Sequence, residues 1–62
     1  MPPMPAGHIY ILNRVLAAQR RIIPPPSNQT IRNILTATAN RALNPIPTPQ
    51  QMQDYFDRNN LQ

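Results

Sequence analysis

The sequence predicts an all-α protein: two amphipathic helices separated by a triple-proline elbow, a short C-terminal helix, extended proline-rich links and little independent core. Three observations lead there. The nine prolines fall in three clusters (Pro2, Pro3 and Pro5; Pro24 to Pro26; Pro45, Pro47 and Pro49), which mark off two long proline-free windows and a short tail. Within the windows, apolar residues recur at three- and four-residue steps, the period of a helix face. Nine prolines and one glycine in 62 residues put proline at about three times its ordinary frequency, so it acts as punctuation.

Residues 1–7 read as an extended proline-rich arm and 8–23 as helix one. There Ile11, Leu12, Val15, Leu16, Ala18, Ile22 and Ile23 form a broad apolar face, with Asn13, Arg14, Ala17, Arg20 and Arg21 on the other side. The β-branched opening from Ile9 to Ile11 also suits a strand, but the Leu, Ala, Gln and Arg that follow favour helix. Pro24 ends it, since proline lacks the amide a helix needs and drives Ile23 out of the helical region. Residues 24–27 then form a stiff elbow, a short polyproline stretch closed by Ser27, whose hydroxyl is placed to cap the next helix.

Helix two is predicted over 28–44, with Ile31, Ile34, Leu35, Thr38 and Ala42 on a narrow stripe and Asn33, Thr36 and Asn40 opposite. Asn44 and Pro45 are its stop signals. Alternating prolines make 45–48 an extended link. The short helix over 49–60 opens on a capping box, with Thr48 as N-cap, Pro49 at N1 and Gln51 at N3. Met52, Tyr55 and Phe56 gather on one side of it, and Asp54 and Arg58 stand at ion-pair spacing.

A chain of 62 residues is a single unit and buries only about 60% of its unfolded surface. It has no cysteine, and His8 is its one histidine, so neither a disulfide nor a metal site supplies a staple. Association with a partner is the remaining common source of stability. The expected partner-binding residues are Leu12, Val15, Leu16, Ile22, Ile31, Ile34, Leu35, Met52, Tyr55 and Phe56, with Phe56 buried against a neighbouring subunit and Tyr55 at the rim.

The net charge is +4, carried by six arginines with no lysine, and residues 1–53 contain no acidic side chain. An all-arginine set suits bidentate contacts to phosphate or carboxylate, and Arg14, Arg20, Arg21, Arg32 and Arg41 are the candidates for phosphate or acidic-surface contacts. Only Arg20 and Arg21 are adjacent, no aromatic interleaves the arginines, and no zinc-finger or RNA-binding signature is present. Nucleic acid is therefore the competing partner, not the leading one.

Catalysis is argued against by the shortage of convergent titratable groups. Asp54 and Asp57 lie three apart, but without a His or Lys beside them they read as a solvated pair, and no catalytic, cofactor-binding or metal-ligating residue is assigned. The sequon at Asn28, Gln29 and Thr30 has no secretory signal to give it a compartment, and the PxxP match at Pro2 to Pro5 is of a length common in a proline-rich chain. Asn13 and Arg14 interrupt the longest apolar stretch, so no membrane span is expected. These features point to a non-catalytic structural or cement protein that packs along and between the larger protein subunits of an assembly, in multiple copies. A lysine-free chain rich in Asn, Gln, Thr, Pro and Ala suggests a viral, phage-like particle and so a place in the virion; otherwise the chain is expected to be intracellular. The alternatives are an arginine-dependent nucleic-acid-binding accessory and a supernumerary subunit of an organellar complex.

Overall fold

The computed structural model describes residues 2–62. Met1, the first residue of the expected arm, lies outside them. Three helices follow one another, α1 (Ala6–Arg20), α2 (Asn28–Ala42) and α3 (Pro49–Arg58), with no strand among the described residues.

Each boundary has a local cause. The carbonyl of Pro5 accepts from the amides of His8 and Ile9 at 3.0 and 3.1 Å, so α1 starts at Ala6, two residues before the expected position. It also ends early, at Arg20. Pro24 cannot donate to the Arg20 carbonyl, and the last turn tightens instead: Arg21 and Ile22 bond back three residues, to Ala18 and Gln19. The Ile23–Pro24 and Asn44–Pro45 peptide bonds are cis.

Ser27 caps α2 as expected, its hydroxyl accepting from the Thr30 amide at 3.1 Å. The helix stops at Ala42, two residues short of the expected end, because Leu43 turns extended (φ −105°, ψ 129°) ahead of the restricted Asn44–Pro45 step. The Thr48–Gln51 capping box is complete: the Gln51 amide donates to the Thr48 hydroxyl at 3.1 Å, and the Thr48 amide donates to Gln51 Oε1 at 2.9 Å. Helix α3 ends at Arg58, not at residue 60, because Asn60 adopts the left-handed conformation at φ 58°. The Leu61 amide reaches back to the Phe56 carbonyl at 2.9 Å and the Asn60 amide to Asp57 at 3.3 Å, the Schellman arrangement of a helix end.

That turn delivers Leu61 to the core. Among the described residues the hydrophobic core is small, eleven buried side chains, yet it draws on all three helices and on both ends of the chain. Leu12 and Leu16 come from α1, Ile31, Leu35 and Ala39 from α2, and Met52, Tyr55 and Phe56 from α3. Met4, Leu43 and Leu61 enter it from the segments between and beyond the helices. Helices α1 and α2 pack against each other. The radius of gyration is 11.1 Å, close to the roughly 10.6 Å that size scaling assigns to a folded chain of this length, so the chain closes on itself.

Polar bonds hold the connections in place. The Nε2–H of His8 donates to the Pro45 carbonyl at 2.9 Å, tying the first turn of α1 to the second link. Gln51 Nε2 donates to Pro2 O at 3.0 Å and fastens the N-terminal arm to α3. Asn28 Nδ2 donates to the carbonyls of Asn60 and Gln62, both at 3.3 Å, fixing the C-terminus against the start of α2.

Candidate interaction surfaces

Core formation reassigns most of the side chains expected to meet a partner. Leu12, Leu16, Ile31, Leu35, Met52, Tyr55 and Phe56 are buried within the chain itself, and Val15 packs partly against them. Phe56 and Tyr55 are thus not an outward anchor. Their rings meet edge to face at 6.4 Å, and the Tyr55 hydroxyl donates to Asn13 Oδ1 on α1 at 2.7 Å. Burial pushes the Tyr55 phenol above its ordinary range, against a smaller opposing pull from the Arg20 charge. The cause is geometric: α3 folds back, so α1 and α2 cover the rings that the tail alone has nothing large enough to cover.

Two of the ten expected contacts remain outside the core. Ile34 is half-buried and lines a shallow groove along α2 with Ala37, Thr38, Arg41 and Ala42. Ile22 is 47% exposed, and its neighbour Ile23 is 93% exposed. Both stand at the mouth of the triple-proline elbow, just past the end of α1. Ile46 in the second link is also exposed.

The arginines divide into tethered and outward groups. Arg20 Nη2 donates to the Asn59 carbonyl at 2.6 Å and clamps the end of α1 to the end of α3. Arg32 is half-buried, with one nitrogen donating to Gln29 Oε1 at 2.6 Å, and its Nε is buried without a partner. Arg14 lies over the exposed Tyr10 ring, 5.9 Å from its centroid, with Nη1 3.5 Å from the Tyr10 hydroxyl. Arg21 and Arg41 are exposed. An aromatic therefore stands beside the first arginine, although none lies between the arginines. The signal was the i, i+4 spacing of Tyr10 and Arg14, which places them together on one helix face.

The aspartates bond to glutamine amides, not to arginines. Asp54 accepts from Gln50 Nε2 at 3.0 Å, so the expected Asp54–Arg58 pair does not form. Asp57 accepts from Gln62 and Gln53 at 2.7 and 2.9 Å, and these two amides lower its pKa. Among the described residues no arginine is ion-paired to an aspartate.

Arg20 and Arg21 also border a shallow depression with Asn13, Ala17 and Asn59, between the outer side of α1 and the end of α3. Because Asn13 Oδ1 is taken by Tyr55, its Nδ2 group is the part of the amide left to bind. The depression therefore presents side-chain donors from three residues. Among the described residues, no helix is long and apolar enough to cross a membrane. Comparison with protein-family models, with curated proteins and with solved structures finds no match to this chain.

Proposed function

We propose that the chain is a small non-catalytic structural subunit, a cement protein that packs against and between larger subunits present in multiple copies in an assembly, with a virus particle as its setting. The observation that carries this reading is the elbow tip: Ile22 and Ile23 stand out at 47% and 93% exposure on a segment stiffened by three successive prolines. Covering a large aliphatic side chain is worth about 1.5–3 kcal/mol, and a stiff segment loses little entropy when it docks. The uncompensated positive charge around the tip favours a partner whose apolar socket is rimmed by carboxylates. The lysine-free, Asn-, Gln-, Thr-, Pro- and Ala-rich composition supports the viral setting.

Retention of an Ile22→Ser/Ile23→Ser variant in the native assembly tests the proposal. Two exposed side chains should leave the helical circular dichroism unchanged, while co-sedimentation with the assembly falls by about tenfold or more. Wild-type retention of the variant, or a wild-type chain that sediments by itself at 7.1 kDa, would end the cement reading.

A further inference from the structure

We propose that the outward face of α1 is a binding site for single-stranded nucleic acid, with Tyr10 and Arg14 as a stacking platform at one end and the depression at Asn13, Arg20 and Arg21 as a phosphate seat at the other. This goes beyond the cement reading and does not rest on it.

Tyr10, Arg14, Ala17 and Arg21 follow one another at i, i+4, i+7 and i+11, and the helical backbone of Arg21 (φ −86°, ψ −13°) keeps it in register with the helix it caps. At a rise of 1.5 Å per residue, the stripe runs about 16 Å along the helix. Its chemistry is consistent from end to end. Tyr10 is 61% exposed, far more than a ring with a packing role inside the fold, and the Arg14 guanidinium lies over it, 5.9 Å from its centroid, as a second flat group at the same place. Ala17 is exposed and small, so a strand can lie close to the backbone between the two ends. The phosphate seat offers the guanidiniums of Arg20 and Arg21 and the Asn13 amide nitrogen. Arg20 spends one nitrogen on Asn59 and is thereby held in place with its remaining donors available.

No carboxylate lies on this helix or anywhere before residue 54, so nothing in α1 offsets the attraction of a phosphate backbone. An exposed aromatic at the end of the arginine stripe distinguishes the surface from one built only for an acidic protein. Bases stack on such a ring whatever their identity, while the arginines track the phosphates.

The test is fluorescence anisotropy of a labelled oligothymidylate with the full chain, starting at low salt. Arg21→Gln should reduce the dependence of log K on log salt by about 0.7, the value for one phosphate contact to a single strand. Arg58→Gln removes the same charge from α3 and should leave that slope unchanged. Tyr10→Ala should weaken binding about fivefold or more, and Tyr10→Phe should restore it. An abasic oligomer of the same length should bind the wild type as weakly as it binds the Tyr10→Ala variant. The proposal is overturned if no binding appears at the lowest salt, if Tyr10→Ala binds like the wild type, or if Arg58→Gln acts like Arg21→Gln. Tighter binding to polyglutamate than to the oligomer would make the partner an acidic protein and overturn it as well.

Discussion

Truncating Phe56 to alanine separates a core role from a docking role. The ring is 8% exposed, meets Tyr55 edge to face at 6.4 Å, and lines a groove with Ala39, Pro47 and Met52 between α2 and the second link. Removing a buried phenylalanine costs about 3–5 kcal/mol, the sum of lost transfer free energy and the cavity left behind. The groove is open on one side, so its walls and solvent can partly refill the space, which favours the lower end, about 3 kcal/mol. A chain of 62 residues has roughly 3–9 kcal/mol of stability in total. Phe56→Ala should therefore remove a third of it or more. With a urea dependence of about 1 kcal/mol per molar for so small a protein, the unfolding midpoint should fall by about 3 M. Urea titration followed by far-ultraviolet circular dichroism measures this directly, with Ile23→Ala as the control: its side chain is 93% exposed, and its midpoint should move by less than about 0.5 kcal/mol equivalent. A wild-type midpoint for Phe56→Ala, together with loss of the chain from its assembly, would show that the ring faces a neighbour and that the core described here is wrong.

Two further perturbations bear on how the helices are joined. The raised Tyr55 phenol resists ionisation in the fold while the unfolded chain ionises freely, so its contribution is complete below the ordinary value of 10.0 and is lost as pH rises through the higher folded value. Tyr55→Phe should cost about 0.5–1.5 kcal/mol near neutral pH through the lost bond to Asn13 and should flatten the alkaline loss of stability; an unchanged alkaline profile would exclude Tyr55 as its source. Asn60 holds φ 58° at the end of α3, so Asn60→Gly should be neutral or stabilising and Asn60→Ala should cost about 1 kcal/mol, read as thermal midpoints in calorimetry; equal midpoints for the two would refute the strained-turn account.

Helix number, helix order and two of the caps were legible in the sequence because their causes are local. Proline removes an amide wherever it stands, and Ser27 and Thr48 bond to amides three residues away. The exact helix ends were less legible, since Arg20, Ala42 and Arg58 are last residues by virtue of how the chain leaves each helix. The candidate surface was harder still. Periodicity placed Ile11, Leu12, Val15, Leu16 and Ile22 on one broad face of α1, and every one of them is apolar enough to be buried. Which of them is buried depends on where α2 and α3 close over that face. The answer is Leu12 and Leu16, with Val15 at the edge and Ile22 left to solvent. Met4, Leu43 and Leu61 complete the core from segments with no period to reveal them. Tyr55 and Phe56 were expected against a neighbouring subunit, and the tertiary structure covers both rings from within the chain. Local backbone chemistry determines where this protein is helical; the division of its apolar surface between core and exterior is a non-local property, because burial requires a second element to arrive from elsewhere in the sequence.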